Sequence, residues 1–166
     1  MVKTLTDLYP VEKIRGPSFR KGNWNFNWTN TCIVMLPPII CLCGMIYGVP
    51  LVANTFYLGF IFHMIATLAI TIGYHRLFAH KAYEAHWSVH WATAFFGAGA
   101  LQGSIRWWGR KHRIHHRHVD TDKDPYNATR GFWYSHLGWM IMRQDPRHLG
   151  QVTDMQDLDE NPVVQF

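Results

Sequence analysis

From Gly22 to Tyr74 the chain carries no Asp, Glu, Lys or Arg. A water-soluble domain seldom goes that far without a charge, because its surface has to be solvated. Inside this run, Thr29–Val49 and Thr55–Leu77 each offer the ~20 apolar residues that a helix needs to cross a bilayer. Gly48, Pro50 and Asn54 supply turn chemistry between them. The pattern predicts a transmembrane helical hairpin.

The cations give the hairpin a direction. Lys3, Lys13, Arg15, Arg20 and Lys21 precede it, and Arg76, Lys81, Arg106, Arg110, Lys111, Arg113 and Arg117 follow it, while the connecting turn has none. An excess of Lys and Arg marks the cytoplasmic side of a span, so both ends are expected there. Trp24, Phe26 and Trp28 stand where an interfacial aromatic belt is expected. Residues 1–21 read as a polar arm; the late start of the first apolar run argues against a signal peptide.

The net charge is +5 over 166 residues. Its cations flank the spans and a histidine cluster, which favours anionic lipid or an acidic ligand over nucleic acid. Cys32, Cys41 and Cys43 lie inside the first span without metal-type spacing and read as small apolar fillers. Asn27 and Asn127 head glycosylation-type triplets, but the expected topology puts both on the cytoplasmic side, unused.

Eleven histidines are many for this length. His75 and His80 form an H-x4-H pair at the mouth of the second span, and His112, His115 and His116 form H-x2-HH. On an α-helix, positions i, i+3 and i+4 share a face, so the second set can converge on a metal. A spacing of five exceeds one α-turn. It suits ligands for two metals, or a helix end that unwinds. Neutral imidazole serves Zn, Cu, Fe or Ni, and five are more than one tetrahedral zinc requires. His63, inside the second span, reads as a hydrogen-bonded packing residue; His86, His90, His118 and His136 read as structural or interfacial. Asp120, Asp122 and Asp124 either orient imidazoles through their other ring nitrogen, or cap a helix and pair with Arg117 and Arg130.

Both sets can share a site only if residues 81–105 do not cross the membrane. Gly97, Gly99 and Gly103 weaken a helix there, and the segment is expected to lie in the interface, or to dip in and return.

Gly73-Tyr74-His75-Arg76-Leu77-Phe78-Ala79-His80 resembles the first histidine box of acyl-CoA delta-9 (stearoyl-CoA) desaturases, and Trp107-Trp108-Gly109-Arg110-Lys111-His112-Arg113-Ile114-His115-His116 resembles their second. Thr121-Asp122-Lys123-Asp124-Pro125-Tyr126 and Arg130 to Trp139 also look like that family, its fungal members most of all. The boxes alone are shared with other membrane oxygenases; the stretch after the second box is more specific. The resemblance covers about residues 25–166 and implies an all-α integral-membrane enzyme of the endoplasmic reticulum, with its N-terminus and histidine boxes cytosolic. It further implies a histidine-ligated di-iron centre, cytochrome b5 as electron donor and a fatty acyl-CoA substrate. His75, His80, His112, His115 and His116 are then iron ligands, and Trp108, Arg110 and Arg143 contact the acyl-CoA. The resemblance makes residues 22–166 a partial desaturase domain, half of a four-span fold. The family's second pair of spans, third box and, in fungi, cytochrome b5 domain are absent, so the di-iron set is incomplete. The chain by itself is therefore expected to be inactive. A related di-iron hydroxylase, or a non-catalytic metal-binding or partner protein, are the other readings.

Overall fold

The computed structural model describes residues 25–144, 149–152 and 154–166. The polar arm and Trp24 lie outside them. Among the described residues the architecture is helical, with one isolated antiparallel bridge between Phe26 and Met142.

Helix α1 (Trp28–Ile46) is 19 residues long, about 28 Å at 1.5 Å per residue. Asn27 caps it, its Oδ1 accepting from Asn30 N. None of α1 is buried, and Leu36, Ile40 and Ile46 stand bare. The helix ends where Gly48 takes a left-handed φ of 68°, a conformation open to a residue without a β-carbon. Helix α2 (Ala53–Leu68) then runs without a break into a π-helix, Ala69–Ala79. Together they make a 27-residue apolar helix, mostly exposed until it reaches the core around Ile70 and Tyr74. So much exposed aliphatic and aromatic surface belongs in lipid rather than water. The two expected spans are thus present as two helices long and apolar enough to cross a bilayer, the second extending to Ala79.

Helix α3 (Trp87–Ala98) has 12 residues, about 18 Å, too short to cross a ~30 Å hydrocarbon layer. It folds back along the π-helix. Gly73 faces Thr93 and Gly97 faces the Tyr74 ring so closely that a β-carbon at either glycine would overlap its neighbour. These glycines therefore permit the close packing that returns the chain to the level of His75 and His80. Trp87 and Phe95 stay exposed, as in a helix lying along an interface.

Ser104 caps helix α4 (Ile105–His118), which bears the second histidine set. After a loop come a second short π-turn (Tyr134–Gly138) and the single turn α5 (Trp139–Ile141). This segment returns to the start of α1: Asn27 N donates to Ile141 O, and Arg143 N to Asn25 O, each at 2.8 Å. The short helices α6 (Gln156–Asp159) and α7 (Pro162–Gln165) close the described chain. Met155 and Leu158 join Ile70, Tyr74, Leu77, Phe78 and Ile105 in one core.

Candidate metal centre

The π-helix decides how the first box is presented. In an α-helix, residues five apart point about 140° from each other. A π-helix bonds i to i+5, so such residues come roughly one turn apart and share a face; the two rings meet edge to face. His80 N donates to His75 O at 2.9 Å, and the two Nε2 atoms come within 3.1 Å. The H-x4-H spacing is thus a same-face pair, because the winding changes.

In the second box, His112 and His116 stand about 40° apart on α4, whereas His115 lies about 60° to the other side of His112. His112 Nε2 is 3.0 Å from both His80 Nε2 and His116 Nε2. One ligand atom from each of His75, His80, His112 and His116 falls within 4.8 Å of the others. His115 does not join this group. Its Nδ1–H donates to both carboxylate oxygens of Asp124, each at 3.0 Å. Asp124 is fully buried and also accepts from Asp120 N and Tyr126 N, at 2.9 Å each. A carboxylate on Nδ1 fixes the tautomer that leaves the Nε2 lone pair free. The second box, whose three imidazoles could converge on one metal by their spacing, is thus split two and one, with His112 and His116 in the cluster and His115 beside it.

Four ring nitrogens packed this closely suit a cation. With metal–nitrogen bonds of about 2.1 Å, ligands at right angles stand about 3.0 Å apart, which is the separation of the three contacts. The protonation state also fits. Burial first, then the neighbouring imidazoles, push the pKa of His112 down to about 3. Burial and the other histidines likewise lower His80 and His116. Neutral imidazole is the form that binds metal.

Trp108 stacks on His112, ring centroids 4.8 Å apart, and its indole N–H donates to Gln102. It also meets His75 edge to face, covering one side of the cluster. Arg110 and Arg143 are exposed. His86 caps α3; His90 meets Phe78 edge-on and Asn161 through Nδ1; His136 stacks on Phe132. His63 lies exposed on α2 and, contrary to expectation, makes no hydrogen bond among the described residues. Asn127 is fully buried, its side chain donating to Thr121 O and accepting from Thr129, which leaves no room for a glycan.

Sequence reasoning missed Arg113. Its guanidinium spends every N–H: Nε to Ala79 O, Nη2 to Phe78 O and Asp157 Oδ2, Nη1 to Asp154 O and Asp157 Oδ1. Its position inside H-x2-HH, with an acidic tail to follow, was the available signal.

No family model matches the chain. Curated relatives do. The probable acyl-CoA desaturase of Schizosaccharomyces pombe is 45% identical over 146 residues, covering 87% of this chain and 30% of the relative. Acyl-CoA desaturase 1 of Saccharomyces cerevisiae is 43% identical over 148 residues, 87% of this chain and 29% of the relative. The acyl-CoA Delta12-desaturase of Acheta domesticus is 40% identical over 136 residues, 77% of this chain and 38% of the relative; other relatives are named as Delta-9 and Delta(11) enzymes. The chain spans about 30% of the length of the two fungal relatives. Over the stretch it shares with them, this chain belongs with the acyl-CoA desaturases, fungal members included.

Proposed function

We propose that the protein to which this chain belongs is an iron- and O2-dependent delta-9 desaturase of saturated fatty acyl-CoA, seated in the endoplasmic-reticulum membrane with its boxes on the cytosolic side. The observation that carries the reading is the convergence of His75, His80, His112 and His116 where α2 and its π-helical end leave the apolar region. On this reading those four imidazoles hold one iron and His115 serves a second. Bound there, iron would supply O2 activation and removal of hydrogen from the acyl chain. The reaction takes two hydrogens from adjacent methylenes; with O2, two electrons from cytochrome b5 and two protons, it yields an alkene and two waters.

The side chains have separate tasks. Burial keeps His112 unprotonated, so its lone pair is available near neutral pH. Asp124 holds His115 in one tautomer and orientation. Trp108 shields one face of the cluster from water. Arg110 and Arg143, exposed cations, suit the phosphates of coenzyme A. The apolar spans hold the site at the surface from which an acyl chain enters.

Because the chain aligns with part of each relative, a segment exchange tests the proposal. The aligned stretch of the S. cerevisiae relative is replaced by this chain, in cells lacking their own desaturase. Fatty acids with a double bond between carbons 9 and 10, lost on His112→Ala, are the expected product. Hydroxylated chains would favour a di-iron hydroxylase instead; no modified product, with the exchanged protein present in the membrane, would contradict the proposal.

A further inference from the structure

We infer that Arg113, with Asp157 as its counter-charge, is the positioning residue that sets the spacing between the two histidine boxes. Arg113 follows His112 on α4, yet its contacts lie elsewhere. Phe78 O and Ala79 O are among the last carbonyls of the π-helix, beyond the reach of intrahelical donors. Arg113 takes both, at 2.8 and 3.1 Å, next to His80. One residue of the second box therefore caps the helix that presents the first.

The remaining N–H groups go to the C-terminal segment. Nη1 reaches Asp154 O at 2.7 Å and Asp157 Oδ1 at 2.8 Å, and Nη2 reaches Asp157 Oδ2 at 2.6 Å. The Arg113 side chain is 13% exposed, so its charge needs this partner. Lys81, immediately after His80 and with φ at 51°, approaches the same carboxylate at 3.3 Å. Leu158 anchors the segment, wholly buried and close against Gly109. Box one, box two and the C-terminal segment meet at a single guanidinium. A planar fork can reach two carbonyls and a bidentate carboxylate together; an ammonium cannot. Asp157 thus acts on the cluster through Arg113, from a segment without a histidine.

The test uses the full chain in detergent micelles and compares Arg113→Lys, Asp157→Asn and, as control, Arg106→Gln. Arg106 pairs with Asp159 on the same segment but touches neither box. The first readout, amide hydrogen exchange of residues 75–82 without metal, does not depend on the metal reading. It should rise about tenfold in Arg113→Lys and Asp157→Asn, the scale of one lost charged hydrogen bond, and stay unchanged in Arg106→Gln. The second readout rests on the metal reading: Co2+ titration followed by visible absorption. Affinity should fall about tenfold or more, the scale seen for residues that support ligands, with shifted bands in Arg113→Lys alone or in both variants. Wild-type exchange in both variants overturns the inference, as does wild-type Co2+ affinity and spectrum in Arg113→Lys. Raised exchange with no Co2+ uptake by the unsubstituted chain sinks the metal reading and leaves the clasp standing.

Discussion

His75 and His80 bring their Nε2 atoms to 3.1 Å because the backbone between them closes an i→i+5 hydrogen bond, His80 N to His75 O. The ligand pair and the π-winding are one feature. Inserting an alanine between Arg76 and Leu77 lengthens the spacing to six and turns His80 away. Co2+ affinity should then drop by about two orders of magnitude, the upper end of what a supporting residue costs. Unchanged affinity in a calorimetric titration would count against the π-helix as the presenting element.

The spans and the boxes were legible in the sequence for local reasons. A charge-free run and clustered histidines are contiguous patterns, and Gly48 marks the turn between helices. The winding was only half legible: five residues between His75 and His80 signalled something other than α-helix, without saying what. His115 stands apart from its neighbours because i, i+3 and i+4 fan over about 100° of helix surface, and a buried carboxylate nine residues on draws it aside. The pairing of Arg113 with Asp157 was harder to read: an arginine inside H-x2-HH with an acidic tail to follow signals an ion pair, but a partnership across 44 positions does not name its members.

Asp124 makes its own prediction. Asp124→Asn keeps the shape but lacks one of the two oxygens that accept from His115, Asp120 N and Tyr126 N. A buried group left without its partner costs about 1–3 kcal/mol. Thermal unfolding followed by circular dichroism should show that loss. Nitrogen-15 spectra should show His115 with mixed tautomers in the variant and a single Nδ1–H tautomer in the parent.

Acid should weaken the C-terminal segment through Asp157. Burial pushes its carboxyl up, but the Arg113 hydrogen bonds and charge, aided by Lys81, outweigh that and hold it below the usual 3.8. A depressed carboxyl stabilises the fold above its unfolded pKa and loses that contribution as pH falls through the folded value. Unfolding in urea should show this stability constant above about pH 5 and falling below about pH 4. Asp157→Asn should flatten the decline.

His112 gives a second pH window. Its folded pKa of about 3 lies below the ordinary 6.5, so the unfolded chain takes the proton first. Metal-free stability should therefore rise with pH from about 3 to 6.5. His112→Ala should shallow that rise, and bound metal should hold stability up as pH falls from 7 toward 5.

Leu158 anchors the segment that carries Asp157. Leu158→Ala leaves a cavity in the core and should cost about 2–5 kcal/mol, measured by urea unfolding.

The central claim is that the two boxes build one metal site from four imidazoles. Anaerobic Fe(II) loading of the purified chain, followed by iron analysis and X-ray absorption, tests it most directly. One tightly held iron per chain, with nitrogen neighbours at about 2.1 Å and lost on His112→Ala, is the expected result. No retained iron, or iron retained equally by His112→Ala, would contradict it.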